Sequence, residues 1–129
     1  MEGAFSFGRN MNNRKYEART ERQQQRVEAG FMAEHFPEVT GIVISMMYKQ
    51  KGVAKALVRT INFFPESYAF FIVDCLSKEC VDGGFDLTRV ITEMIGNHRE
   101  NTKGELGCEG SGTAAEHSAI VYEVAIQYT

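Results

Sequence analysis

YAFFIVDCLSKEC, residues 68–80, is an aromatic and branched run that carries one thiol, Cys75, at its end and a second, Cys80, in the polar segment beyond. Tyr68, Phe70, Phe71, Ile72 and Val73 are residue types that fit a pleated, buried surface, so the run predicts an inner strand. The third cysteine, Cys108, closes another strand-like segment, KGELGC (103–108), and His117 opens the last one, HSAIVYEVAIQYT (117–129). Where residues 68–80 lie therefore decides both the architecture and where chemistry can occur.

Upstream of this run the sequence is β-rich. Val39 to Tyr48 (VTGIVISMMY) is short, branched and apolar, KQKG (49–52) is a polar turn, and AKALVRTINFF alternates Ala56, Val58, Thr60 and Asn62 against Leu57, Arg59, Ile61 and Phe63. Pro65, Glu66 and Ser67 make a tight connection, because Pro presets the first turn position. The third strand is therefore expected to return antiparallel beside the second. The aromatics Phe63, Phe64, Tyr68, Phe70 and Phe71 suit core packing better than a base-stacking platform.

Downstream, VDGGFDLTRVITEMIGNHRE (81–100) changes period. Gly83 and Gly84 permit a sharp turn, Asp86 is a good N-cap, and Leu87, Val90, Ile91, Met94 and Ile95 recur at helical spacing. His98 extends that stripe as a helix-end histidine. A short strand (105–108), a connection (109–116) and a long alternating strand (119–128) close the chain.

Before the sheet, residues 1–15 (MEGAFSFGRNMNNRK) read as a flexible basic arm, and residues 16–36 as an amphipathic helix with Val27, Phe31, Met32 and His35 at helical spacing and Pro37 closing it. The fold class that follows is α+β: a mixed, mostly antiparallel sheet of about five strands, an N-terminal helix, and one amphipathic helix inserted before the last two strands. Residues 16–129 form a single domain, since 129 residues support one core of modest size. No apolar run approaches the roughly 20 residues of a membrane helix, which predicts no membrane partner. Three cysteines leave one over in any disulfide framework, which fits a reducing, cytoplasmic setting.

Net charge is only −3, but residues 1–64 hold ten Lys/Arg against six Asp/Glu, while residues 65–129 hold four against eleven. The basic half offers phosphate contacts and the acidic half repels them. A nucleic-acid-binding accessory domain using Arg19, Arg22, Arg26, Lys49, Lys51, Lys55 and Arg59 is therefore an alternative function.

A sharper signal comes from the four donors. If the strand ending at Cys75, the helix after it and the strand ending at Cys108 form a β-α-β unit in one sheet, the two strands point the same way and their ends lie together. A returning antiparallel strand starts at that edge, at His117. Cys75, Cys80, Cys108 and His117 then converge as C-x4-C, a long spacer and C-x8-H, a donor set that suits tetrahedral zinc. This arrangement over residues 68–129 resembles the zinc-ribbon and treble-clef class of small metal domains, with Cys75, Cys80, Gly83 and Gly84 as a first knuckle and Cys108 with His117 as a second. Its spacings are longer than the usual C-x2-C. The resemblance implies a structural Cys3His zinc site and a small binding module whose ligand is a protein partner or a second copy. Nucleophilic catalysis by Cys75 or Cys80, activated by His117, is a further alternative. The neighbouring Asp74, Glu79 and Asp82 oppose the thiolate it needs. No Gly-rich phosphate loop, nucleophile elbow or H-E-x-x-H is present, so the sequence favours a binding module over an enzyme.

Overall fold

The structure is a computed structural model that describes residues 11–50, 56–76, 80, 83–108 and 118–129. In chain order these form α1 (Met11–Glu28), α2 (Met32–His35), β1 (Val39–Gln50), β2 (Leu57–Phe63), β3 (Ile72–Asp74), β4 (Gly84–Asp86), α3 (Thr88–Gly96), β5 (Asn101–Gly107) and β6 (Ser118–Tyr128). The class is α+β, with the N-terminal helix and the helix inserted before the last two strands both in place.

The main sheet has the order β2-β1-β6-β5 and is antiparallel throughout. Its register follows from the two-residue side-chain period. Opposite one another across β1 and β6 lie Ile42 and Ile126, Ile44 and Val124, Met46 and Tyr122, and Tyr48 and Ile120. All eight are buried. Burial of each aliphatic member contributes about 1.5–3 kcal/mol, and a one-residue slip would turn the whole set to solvent. α3 supplies the facing stripe, with Ile91, Met94 and Ile95 buried, and Leu87 just before it is buried as well. Asp86 caps it from one residue further out than expected, its carboxylate accepting the Thr88 N–H at 2.9 Å.

The other end of α3 is closed by a tertiary contact. His98 takes a left-handed backbone, φ 53°, while the Arg99 N–H donates to Met94 O at 2.8 Å and the His98 N–H to Ile95 O at 3.1 Å. These two bonds form a Schellman cap. The Tyr128 ring stacks on His98 with centroids 3.9 Å apart, and its hydroxyl donates to Arg99 O at 2.8 Å.

Residues 68–76 do not lie where the turn at Pro65 suggests. Their strand, β3, pairs antiparallel with β4, as Ile72 with Asp86, Val73 with Phe85 and Asp74 with Gly84, in a separate two-stranded sheet. Among the described residues the strands therefore number six, in two sheets. Beside β2, every second residue of FFIV would face the outer side of the sheet. Crossing onto the inner face lets Phe71 pack against Phe63 (5.2 Å between centroids) and Phe36 (6.4 Å), and it becomes buried.

The expected helix over 16–36 is two helices. α1 begins at Met11 and ends at Glu28, and the chain turns at Gly30, where φ is +77° and a β-carbon would stand 2.9 Å from His35 Nε2. Of its expected stripe only Met32 is buried. Val27 is exposed, and Phe31 stacks on Tyr68 with centroids 4.9 Å apart. Among the described residues no helix is long and apolar enough to cross a membrane.

Candidate metal centre

Three loops and strand ends meet at one rim of the fold. Cys75 directly follows β3, Cys108 directly follows β5, and Ser118 is the first residue of β6. Because β5 and β6 are antiparallel with Gly107 opposite Ala119, Cys108 comes to lie across from Ser118, and the Cys108 N–H donates to Ser118 O at 3.1 Å. The β3–β4 ladder does the same on the other side: the Cys75 N–H donates to Gly83 O at 3.2 Å. Cys80 lies between, and its sulfur accepts the Gly83 N–H at 3.1 Å.

The result is a cluster of three thiols whose sulfurs all lie within 4.8 Å of one another. Cys80 Sγ and Cys108 Sγ are 3.7 Å apart. Thiolates at about 2.3 Å from a tetrahedral zinc stand about 3.8 Å from each other, so this separation is compatible with two ligands of one metal as well as with a thiol–thiol hydrogen bond. None of the three is in a disulfide, and the group can hold a metal ion. Cys80 and Cys108 are buried; Cys75 is half-buried, and its sulfur lies 3.0 Å from the Ser118 hydroxyl.

The electrostatics follow from burial. Removal from water pushes the Cys108 thiol well above its ordinary pKa, and hydrogen bonds with Cys75 and Cys80 push it further. Burial also raises Cys80, against an opposing hydrogen bond with Cys108. Without a cation these two are neutral. A divalent ion reverses that balance, because a coordinating thiol is deprotonated outright. Nucleophilic catalysis needs the opposite environment, one that lowers the thiol pKa before any substrate arrives.

The route to this convergence differs from the one the sequence suggests. β3 and β5 belong to different sheets, so no parallel β-α-β pair brings their ends together. The two antiparallel ladders, β3–β4 and β5–β6, each fold one cysteine back toward a shared rim. His117, the expected fourth donor, lies outside the described residues, as do Lys51 and Lys55.

Two supporting groups were not legible as such. Ser118 is the one buried polar residue among those described, and its position directly after His117 was its only sequence signal. Arg22, grouped by sequence with the basic stripe, instead binds the Asp74 carboxylate and donates to Gly83 O at 3.3 Å. It thus joins the ends of β3 and β4 next to Cys75 and Cys80. Of the other basic candidates, Arg26 stands over the Phe70 ring at 5.2 Å, while Arg19, Lys49 and Arg59 are exposed. Comparison of the chain with family models, with curated proteins and with solved structures finds no match.

Proposed function

We propose that the chain is a small binding module held together by a structural zinc ion, with Cys75, Cys80 and Cys108 as thiolate ligands and His117 in the fourth position. The observation that carries this is the approach of three sulfurs, from residues up to 33 apart in sequence, to within 4.8 Å of one another. Buried neutral thiols pack as ordinary small apolar groups, so it is their convergence at ligand spacing that favours a shared ion. His117 is assigned because its neighbour Ser118 touches the Cys75 sulfur. A structural role fits the supports: the Gly83 N–H on Cys80 and the Arg22 clamp orient ligands, and a four-ligand set leaves no open coordination position for a substrate.

The partner we assign is another protein or a second copy of the chain. β2 is an edge strand of the main sheet, and its Leu57 and Val58 are exposed hydrophobics. An exposed apolar edge is a template on which another chain can add a strand.

Metal analysis of protein purified without added zinc tests the metal assignment. About one zinc per chain is expected, and Cys108→Ser is expected to lose it. Protein that carries no zinc and takes none up from micromolar solution rules the assignment out, as does a Cys108→Ser variant that keeps its full complement.

A further inference from the structure

The crossing of residues 68–74 from the sheet edge to its inner face leaves an open groove beside β2, of about 210 Å³. It is lined by Ile61 and Phe63, by Tyr68 and Phe70, and by two arginines from separate elements, Arg26 of α1 and Arg59 of β2. Arg59 lies opposite Met46 in the β1–β2 register, and Met46 is buried, so Arg59 sits on the core-facing side of an edge strand. Its side chain remains exposed there and opens onto the groove.

Among the described residues, neither Arg26 nor Arg59 forms an ion pair. The carboxylate of Asp74, which also lines the groove, is bound by Arg22. Counted over the described residues, the groove therefore carries an excess of two positive charges. Its aromatic groups are fixed as well: Tyr68 is stacked on Phe31, 11° from parallel, and Phe70 lies under the Arg26 guanidinium at 5.2 Å. Stacking holds a guanidinium by its face and leaves its in-plane N–H donors free for a bidentate acceptor. Beside Arg59 lies the buried Tyr48, whose hydroxyl interacts with the Arg59 guanidinium.

We propose that this groove binds a small ligand joining a phosphate to a planar ring, of the mononucleotide class. The two guanidinium forks grip the phosphate and the ring lies against the aromatic wall. Paired N–H donors match phosphate oxygens, and flat aromatic surfaces accept any base by its face. The volume sets the scale, since pockets for larger ligands run to roughly 300–1,000 Å³. No thiol lines the groove, so the proposal stands or falls apart from the metal site.

Calorimetric titration of the full chain with AMP, adenosine, inorganic phosphate and a short single-stranded RNA tests it. AMP is expected to bind at submillimolar concentration, with adenosine and phosphate each at least about tenfold weaker, because each keeps half of the contacts. Arg59→Gln is expected to weaken AMP at least about tenfold with an unchanged melting temperature, whereas Lys103→Gln on the outer sheet face leaves it unaltered. Absence of binding at about 10 mM AMP overturns the proposal, as does an Arg59→Gln variant that binds normally. RNA binding tighter than AMP and steeply weakened by salt overturns it too, in favour of a polymer surface. Should Arg59→Gln not fold, ring-proton shifts of Tyr68 and Phe70 in the natural chain decide: movement on adding AMP supports the site, and stationary signals end it.

Discussion

Arg22 on α1 and Asp74 at the end of β3 are joined across 52 residues of sequence, and the same guanidinium reaches Gly83 O. The Arg22 side chain is 17% exposed and that of Asp74 45%. A pair so placed is screened on one side only, so its coupling is expected at about 1 kcal/mol, above the few tenths typical of a fully exposed pair. A double-mutant cycle of Arg22→Ala and Asp74→Ala, read by urea denaturation, measures it. Coupling indistinguishable from zero would show that the contact does not hold the β3–β4 junction.

The same clamp predicts an effect on metal. Arg22 bears on Gly83, and Gly83 holds the Cys80 sulfur through its N–H. Groups that orient a ligand without touching the ion alter affinity by roughly 10- to 100-fold when removed. Arg22→Ala is therefore expected to release zinc to a competing chelator at a correspondingly lower chelator concentration, while Arg89→Ala, from an exposed pair on α3, matches the natural chain. Equal release from both variants would separate Arg22 from the site.

Alkaline pH distinguishes the metal-free protein from the loaded one. Burial holds the Cys80 and Cys108 thiols above their ordinary value near 9, so above pH 9 the unfolded chain gives up protons that the folded chain keeps. Stability of the metal-free protein is thus fully present below about pH 9 and falls as pH rises through the folded values, by up to about 1.4 kcal/mol per unit for each thiol. Burial raises Tyr48 and Tyr128 as well, so both forms lose stability above about pH 10. With zinc bound as proposed, the thiol contribution is the difference between them, since metal-bound sulfurs have no proton to lose. Urea midpoints of the two forms between about pH 8 and 10.5 are expected to diverge, and parallel curves would contradict the buried neutral thiols.

How far the sequence discloses this molecule depends on the range of the interaction. The two-residue alternation of Ile42, Ile44, Met46 and Tyr48 and of Ile120, Tyr122, Val124 and Ile126 places both central strands, because each residue's face is fixed by its neighbours in the chain. The stripe of α3 is legible for the same reason. The partner of β3 is not: Pro65 and the flanking aromatics describe a hairpin to β2, and only the space between sheet and α3, which no local pattern encodes, draws Phe71 inward. The three thiols were legible as a cluster because Cys75 and Cys108 each directly follow a strand and Cys80 is only five residues beyond Cys75. Arg22 was not, since a helix of mean polarity gives no sign of which arginine has a distant carboxylate waiting.

Gly104 offers the cleanest test of the β5–β6 register. It lies directly opposite Tyr122, and a β-carbon added there would run into the phenol, whose Cε2 would stand 3.0 Å away. Tyr122 is buried at 7% exposure, one of the inward residues that meet the core under α3. It can move aside only by losing that packing, and overfilling a well-packed site costs typically 1–3 kcal/mol. Gly104→Ala is accordingly expected to destabilise by about 1–3 kcal/mol, although alanine suits a strand better than glycine does. Tyr122→Leu in the same background removes the obstructing ring, so the two substitutions together are expected to cost less than the sum of their separate effects. A Gly104→Ala variant as stable as the natural chain, or strict additivity with Tyr122→Leu, would mean that the ring does not lie across that glycine and that β5 is paired in another register.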